Sequence, residues 1–411
     1  MQKQELIPHL FRTEYRKIIS VLYKRFGFDQ IELAEDIASE TFATAAQAWS
    51  MNGIPTNPTA WLYNVAKNKA KNYLQRESVF RNKVVPNITG RKNLAPPENE
   101  IDLSPQNIKD SQLQMIFAIC HPSIPAEAQI GLALRILCGF GIDEIADAFL
   151  TNKETINKRL FRAKEKIREE KIRIEFPAAS EIDARLSTVL TTIYLLFSEG
   201  YYSSSQDQVL RKELCFEAMR LCTMLVENKY TNTPGVNALL SLMCFHASRF
   251  EARINEKDEL ILYNEQDTNL WNAELVSKGA YFLHCATTGN KLSKYHLEAA
   301  IAYWHTKKED TAEKWENILQ LYNQLLQLEY SPIAALNRTY ALSKAKGKDR
   351  AITEAEKLKL NDNQFYHSLL GELYINIDNT KAVSHFRTAL GLAKSTADKA
   401  NLSKKLQSFE A

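Results

Sequence analysis

Cationic and polar side chains recur along one face of a predicted helix near the middle of the chain. The segment IDEIADAFLTNKETINKRLFRAKEKIREEK, residues 142–171, contains two helical patterns separated by a short polar break, where Thr151 and Asn152 are candidate N-caps. The second pattern has one apolar stripe, formed by Ile156, Leu160, Ala163 and Ile167. The opposite face carries Glu154, Lys158, Arg162 and Glu165. Because exposed cationic side chains bind phosphates and guanine edges, the segment predicts a DNA-binding helix-turn-helix.

A second basic stretch lies upstream, between residues 67 and 83. It contains one acidic residue, Glu77, and six basic ones: Lys67, Lys69, Lys71, Arg76, Arg81 and Lys83. The net charge of the whole chain is only +3, so the positive charge is concentrated locally, as a modular DNA-binding protein requires. For both stretches the alternative is an ordinary amphipathic helix with a solvated charged face.

Helical periodicity dominates the chain, and alternating strand patterns are almost absent, so we predict an all-α fold. Helical patterns at 5–26, 29–49 and 59–76 form a first region, residues 1–77. A polar, proline-containing segment, 78–110, predicts an extended linker. A second region, 111–175, holds the helix-turn-helix, and a third, 182–411, is a long helical array.

The helical array contains a repeat. Leu336 and Tyr340 recur 34 residues later as Leu370 and Tyr374. The second copy places small and aromatic residues at the spacing of a tetratricopeptide helix pair: Gly371, Tyr374, Ala382, Phe386 and Ala389. A helical solenoid is therefore predicted, and a generic helical bundle is the alternative.

Other functional classes lack support in the sequence. No apolar run is long enough to span a membrane, and the first residues do not have the pattern of a signal peptide, which predicts a cytoplasmic protein. The six cysteines form no CxxC pair, so buried thiols are expected. We predict no catalytic site, metal site or cofactor, and hence no enzyme, because no known catalytic or nucleotide-binding motif is present.

Four sequence blocks, taken in order, resemble an extracytoplasmic-function (ECF) RNA polymerase sigma factor. LAEDIASETFATAAQAW is similar to region 2.2, and PTAWLYNVAKNKAKNYLQRE to regions 2.3 and 2.4. SIPAEAQIGLALRILCGFGIDEIADAFLTNKETINKRLFRAKEKIR is similar to regions 4.1 and 4.2. IYLLFSEGYY, LYNEQDTNLWN, YHLEAAIAYWH and SPIAALNRTYAL resemble the subgroup with a tetratricopeptide-like C-terminal extension.

The resemblance implies two small helical sigma domains, region 2 and region 4, joined by the linker and followed by the extension. It implies binding to the β′ clamp helices and β flap of core RNA polymerase and to promoter DNA in the bacterial cytoplasm. The implied polymerase-binding residues are Asp36, Ser39, Glu40 and a half-exposed Phe42. The implied −10 residues are Lys67, Asn68, Lys71, Tyr73 and Arg76, with a base pocket at Met51 to Asn57. The implied −35 residues are Thr155, Asn157, Lys158, Arg159 and Arg162.

The resemblance also implies that the extension regulates the sigma domains in cis, and a solenoid groove suits a regulatory protein or peptide. Two other functions stay open from the sequence. One is a helix-turn-helix regulator with a ligand-sensing or protein-sensing helical domain, which binds an operator without polymerase. The other is a tetratricopeptide scaffold without any DNA-linked activity.

Overall fold

The computed structural model describes residues 6–79, 101–149, 151–201, 211–253, 261, 263–394 and 396–409. These residues are helical or lie in turns and loops, and no strand occurs among them, which confirms the predicted all-α fold. The chain divides into two compact units, Met1–Thr192 and Ile193–Ala411. In the part of the chain just given, none of the helices has the length and apolar character needed to cross a membrane.

The first unit begins with three helices, α1 (Leu6–Phe26), α2 (Ile31–Asn52) and α3 (Pro58–Val79). The backbone of Gly53 has a φ of 81°, which a residue with a side chain rarely adopts, and α2 ends there. Asn57 then caps α3, because its Oδ1 accepts a hydrogen bond from the Ala60 amide at 2.9 Å. The loop predicted as a base pocket is thus held between two defined helix ends.

Four further helices complete most of the first unit: α4 (Pro105–Ile119), α5 (Ala126–Leu132), α6 (Ile142–Ala148) and α7 (Lys153–Glu169). Helix α4 begins inside the segment predicted as a linker, since Ser104 caps it and Pro105 occupies its first turn. Ile101 and Ile108 are buried, so this end of the segment is packed rather than extended. Residues 80–100 of the predicted linker lie outside the described residues.

The residues predicted as two separate sigma domains belong to one compact unit. Helix α1 packs against α4 and against the π-helical turn Ala133–Leu137 that follows α5. Arg135 lies over the ring of the buried Tyr15, 5.8 Å from its centroid. Gly139, with φ 76°, allows the backbone to approach the Arg12 carbonyl, since a Cβ there would lie 3.2 Å from that oxygen. The predicted boundary between the two sigma domains therefore does not separate two bodies in this structure. It stays a prediction about function.

The second unit is built from helices in succession, and α8 (Ile182–Tyr201) contains the boundary between the units. The helices that follow are α9 (Lys212–Val226), α10 (Pro234–Ala247), α11 (Ala273–Ala286), α12 (Lys294–His305), α13 (Ala312–Leu328), α14 (Pro332–Lys346), α15 (Lys348–Leu358), α16 (Gln364–Tyr374), α17 (Asn379–Leu392) and α18 (Thr396–Gln407). Neighbouring helices pack closely in pairs, α10 with α11, α13 with α14 and α16 with α17.

The residues of the predicted repeat lie at a tight helix–helix contact. A Cβ added to Gly371 of α16 would lie 2.6 to 2.8 Å from the ring of Phe386 in α17. Phe386 is fully buried, as are Ala382 and Ala389 on the same helix. The small residue therefore admits the aromatic ring between the two helices, as the spacing predicts. Whether the unit belongs to the tetratricopeptide class stays a prediction.

Glu298 in α12 gives the second unit a pH-dependent stability. Burial raises the pKa of Glu298 to about 7, although the Lys294 charge and a hydrogen bond with Tyr194 act in the opposite direction. A carboxyl group whose pKa is higher in the folded state binds more protons there than in the unfolded chain between about pH 4.5 and pH 7. The free energy of unfolding therefore falls as the pH rises through this window.

We expect Glu298→Gln to remove most of this pH dependence, because the amide keeps the shape and hydrogen-bonding capacity of the protonated acid without a charge. At pH 8, the free energy of opening of α12 measured by hydrogen exchange should be up to about 3 kcal/mol higher in the variant than in the wild type. At pH 4.5 the two should be alike. If the variant and the wild type were equally protected at both pH values, the assignment of an ionised, partly buried carboxylate would be wrong.

Candidate nucleic-acid interface

Helix α7 has the cap and the apolar stripe that its sequence predicts. Asn152 Oδ1 accepts a hydrogen bond from the Thr155 amide at 2.8 Å, which satisfies one free donor of the first turn. The four stripe residues are buried against the rest of the unit: Ile156, Leu160, Ala163 and Ile167. Helices α5 and α6 both pack on α7, so its opposite face points to solvent.

Four of the five predicted −35 residues are exposed on that face: Thr155, Asn157, Lys158 and Arg162. Lys158 pairs with Glu154 one turn away, with Nζ and Oε1 at 2.7 Å, but both side chains are largely exposed. Such an exposed pair contributes little stability, so Lys158 can leave it for a phosphate at small cost. Within the described residues no ion pair holds Arg162, which leaves its guanidinium available to a ligand.

Arg159 is less exposed than the other four predicted −35 residues and has partners within the unit. Its Nη2 lies 2.9 Å from Glu127 Oε2, and its guanidinium carbon lies 5.2 Å from the centroid of the Phe149 ring. These contacts use the cation to brace α7 against the start of α5 and the end of α6. Arg159 is therefore already paired within the unit, and its contact with the DNA backbone stays a prediction.

Phe161 is a surface residue that the sequence interpretation missed. Its side chain is 62% exposed, and it follows Lys158 by three residues and directly precedes Arg162. A signal was present, because Phe161 falls outside the apolar stripe of α7 and so cannot be buried with it. An exposed ring among cations on a helix offers an apolar surface that suits a thymine methyl group.

Helix α3 carries the second basic surface. Asn68, Lys71 and Arg76 are exposed and Lys67 is partly buried. The ring of Tyr73 packs edge-on against Phe26, with centroids 6.1 Å apart, so one side of Tyr73 is held in the unit. The α3 surface thus combines cations with one amide and one anchored ring, the kinds of group that sites for single-stranded nucleic acid use.

A shallow groove runs along the first half of α3, and the sequence did not predict it. It is lined by Ala60, Tyr63, Asn64, Lys67 and residues 101–103. Hydrogen bonds from the Ser104 backbone and hydroxyl lower the pKa of Asp102, and the charges of Lys67 and Lys24 act in the same direction. An ionised carboxylate from the predicted linker therefore lies near one end of the basic α3 surface.

Helix α2 presents an acidic face beside α3. Asp36, Ser39 and Glu40 are exposed as predicted, and Glu40 Oε2 lies 3.0 Å from Lys69 Nζ of α3. The expectation of a half-exposed Phe42 is wrong, because Phe42 is only 5% exposed and its ring centroid lies 5.0 Å from that of Phe11. Phe42 supports this face from within the core.

The burial of Phe42 had a signal in the sequence. Ala34 and Ala38 precede it at steps of four residues, and both are fully buried. Residues at this spacing share one face of a helix, so Phe42 continues a buried stripe.

Helices α7 and α2 are joined by ion pairs that no local pattern predicts. Lys164 Nζ lies 2.7 Å from Glu35 Oε1, and Arg168 Nη2 lies 2.6 Å from Glu32 Oε2. The pairs link residues 129 and 136 positions apart. The C-terminal half of the candidate DNA-binding helix is therefore fixed to the first turns of α2.

These surfaces carry groups that are suited to binding. Among the described residues no group of three or more His, Cys, Asp or Glu side chains is placed to hold a metal ion. The exposed residues of α3 and α7 are mostly cations and amides, which bind phosphate and base edges. The exposed residues of α2 are mostly acidic and suit a polar protein surface.

Comparison with protein families gives two matches. Residues 10–79 match sigma-70 region 2, and this range coincides with α1 to α3. Residues 185–287 match a family of unknown function and cover the first helices of the second unit. No solved structure matches the chain.

Among individual proteins, an uncharacterized protein of Rhizobium meliloti is 31% identical over 390 residues, which cover 93% of this chain and 92% of that protein. The ECF RNA polymerase sigma-E factors of Salmonella typhimurium and Escherichia coli are each 28% identical over 149 residues. These matches cover 32% of this chain and 70% of each sigma-E factor.

Proposed function

The chain belongs to one family with the uncharacterized Rhizobium meliloti protein, and from its sigma-70 region 2 we propose that it is an ECF-type sigma factor. In this role it binds core RNA polymerase in the bacterial cytoplasm and directs transcription from specific promoters. The observation that carries the proposal is the coincidence of the region 2 match with three helices that present an acidic face and a basic face.

The geometry of α2 and α3 supports distinct roles for these two faces. The exposed acids of α2 suit the β′ clamp helices, and Ser39 adds a hydrogen-bonding group between Asp36 and Glu40. The exposed face of α3 suits the −10 element, where bases leave the duplex and require a polar surface and a ring to receive them. Asn68 and Tyr73 supply these groups, and the neighbouring cations bind phosphates.

Helices α6 and α7 support the role of region 4 as a helix-turn-helix that reads the −35 element, with the β flap as its polymerase contact. The exposed face of α7 fits a major groove, with Lys158 and Arg162 as base or phosphate contacts and Thr155 and Asn157 beside them. Phe161 adds an apolar contact to the same face.

The second unit regulates the sigma domains in cis, as a tetratricopeptide-like extension that also accepts a regulatory protein or peptide. Support comes from the lengths of the matches. The Rhizobium relative is similar over 93% of this chain, whereas the sigma-E factors are similar over 32%. The two units therefore occur together in at least one other protein, which is expected if the second acts on the first.

The test combines affinity purification with core RNA polymerase and run-off transcription from genomic promoter fragments. A sigma factor co-purifies with the core enzyme and produces discrete transcripts that core enzyme alone does not make. A chain truncated after residue 181, before α8, tests the predicted extension in the same assay, and altered promoter output is expected. A helix-turn-helix regulator would instead bind duplex DNA without polymerase, and a scaffold would do neither.

A further inference from the structure

Polar and aromatic side chains of the second unit meet around the ring of Tyr263, and we call this set the Tyr263 cluster. The guanidinium carbon of Arg249 lies 5.4 Å from the centroid of this ring, and Lys314 Nζ lies 5.7 Å from it. The ring centroid of His305 is 5.1 Å away, and that of Trp271 is 6.3 Å away. The cluster therefore combines groups from the end of α10, the loop before α11, the end of α12 and the start of α13.

The four C-terminal segments that resemble the sigma-factor subgroup converge on this cluster. They contribute Tyr201, Tyr263, His305 and Tyr340. Arg249 Nη2 donates a hydrogen bond to the Tyr201 hydroxyl at 3.3 Å. The ring of Trp315 lies between those of Tyr340 and His305, with centroids 5.5 and 5.8 Å apart. Aromatic surface with a few convergent polar groups is typical of a ligand site, whereas helix packing alone favours apolar residues.

Lys314 is a buried cation that forms no ion pair with any described carboxylate. The residue is 2% exposed, and its Nζ donates hydrogen bonds to the Lys307 carbonyl at 2.8 Å and the Tyr263 hydroxyl at 3.3 Å. The carboxylate of Asp310 is engaged by the Trp315 indole. Burial lowers the pKa of Lys314, although the Asp310 charge acts in the opposite direction. Because a buried charge without a counter-ion is unfavourable, this position is suited to an anion.

Two arginines add positive charge to the Tyr263 cluster. Arg249 forms no ion pair within the part of the chain that the structure describes. The guanidinium carbon of Arg253 lies 3.8 Å from the centroid of the Tyr201 ring. Burial and the charges of both arginines hold the pKa of His246 well below its usual value, so both lie near this imidazole. Several cations in one place favour a multiply charged anion over a singly charged one.

Three buried nitrogen atoms of the cluster have no hydrogen-bond partner among the described residues: Arg249 Nε, Trp271 Nε1 and His305 Nδ1. The first two can only donate, and the imidazole nitrogen donates in one of its tautomers. Burial, together with the charges of Arg249 and Lys314, lowers the pKa of His305 to about 3, so its imidazole is neutral near pH 7. Because buried donors are nearly always hydrogen-bonded, a ligand with acceptor oxygens suits these atoms.

We propose that the Tyr263 cluster binds phosphate, either as the free ion or as the phosphate group of a small molecule. Arg249 and Lys314 supply the charged contacts, and His305 and Trp271 supply neutral donors. A phosphate group carries a charge of about −1.5 to −2 and three or more acceptor oxygens, so it matches both sets of groups. A carboxylate carries one charge and matches them less well. Arg249, Trp271 and His305 are partly exposed, which gives a ligand access to the cluster.

The test is a titration of the full chain, labelled with ¹³C-histidine, with inorganic phosphate, phenyl phosphate and acetate at constant ionic strength. His305→Gln assigns the imidazole signal of interest. We expect this signal to move saturably with both phosphates and to require a roughly tenfold higher concentration of acetate. Tighter binding of phenyl phosphate would identify a small organic phosphate as the ligand, and equal or weaker binding would identify the free ion.

Two substitutions remove the proposed charged contacts. Lys314→Met keeps the apolar length of the side chain, and Arg249→Gln keeps a polar group. Each should weaken phosphate binding roughly tenfold or more, whereas Arg387→Gln at an exposed position of α17 should bind as the wild type does. Lys314→Met should remain folded, because replacing a buried charge with an apolar side chain is often neutral or stabilising. Phosphate should raise the melting temperature of the wild type more than that of this variant.

Absence of a saturable response to both phosphates, or an equal response to acetate, would overturn the site. Undiminished binding by the folded Lys314→Met and Arg249→Gln variants would also overturn it, because the anion would then bind elsewhere. Equal thermal stabilisation of the wild type and all variants would show only the general effect of phosphate salts on proteins and would count against the site. Because the titration contains no polymerase, its outcome is independent of the proposed sigma factor function.

Discussion

Replacing Gly371 with alanine is expected to destabilise the second unit by about 1–2 kcal/mol. The new Cβ would lie 2.6 to 2.8 Å from three atoms of the Phe386 ring, and this ring is fully buried and cannot swing away. Overpacking of this kind typically costs about 1–3 kcal/mol and exceeds the gain of up to about 1 kcal/mol that alanine brings to a helix. Thermal unfolding should show a melting temperature lowered by roughly 2–8 °C.

Gly391→Ala is the matched control for this experiment. Gly391 lies in α17, the helix that carries Phe386, and no atom lies within 4 Å of the Cβ that alanine would add. We expect this variant to be neutral or stabilised by up to about 1 kcal/mol. Adding Phe386→Leu to Gly371→Ala should relieve part of the clash, so the two changes together should cost less than their sum. Strict additivity would show that the two helices do not meet at this point.

Removing both exposed cations of α7, with Lys158→Ala and Arg162→Ala, is expected to reduce promoter-specific transcription at least tenfold. Loss of one specific contact to DNA costs roughly 1–3 kcal/mol, and about 1.4 kcal/mol corresponds to a tenfold change. Binding of core polymerase should be retained, because the α2 face is untouched. Run-off transcription and core-enzyme affinity, measured on the same preparations, separate these two effects.

The control for this pair is Arg387→Ala with Lys399→Ala, which removes the same charge from exposed positions of the second unit. This variant should transcribe as the wild type does if the effect is local to α7 rather than due to net charge. The slope of DNA affinity against salt concentration should become shallower for the α7 variant, because fewer counterions are released on binding. Normal promoter output from the α7 variant would remove α7 from the proposed DNA interface.

Local sequence patterns predicted much of the helical structure and part of the candidate site. The stripe from Ile156 to Ile167 is buried, Asn152 caps α7, and Gly371 meets Phe386 at the predicted spacing. These features depend on residues close together in the sequence or on a repeat with a fixed period, so the helical geometry alone relates them. The exposed positions of Lys158 and Arg162 follow from the same period.

Predictions about single side chains were less accurate where a residue distant in the sequence determines the contacts of the side chain. Arg159 has the spacing of an exposed cation, but Glu127 and Phe149 engage it from neighbouring helices. The helical period defined the direction of Arg159 around the axis, while the packing of the neighbouring helices determined its contacts.

By itself the sequence determined the helical class, the approximate helix positions, the buried stripes and the location of positive charge, because these depend on periodicity and composition along short segments. Only the tertiary structure decided that Lys164 and Arg168 lie against Glu35 and Glu32, which are 129 and 136 positions away. An ion pair requires two opposite charges within a few ångströms, and many cations and carboxylates of the chain carry the charges that such a pair needs. The packing of α1 against α4, and of α7 against the start of α2, selects which of them meet.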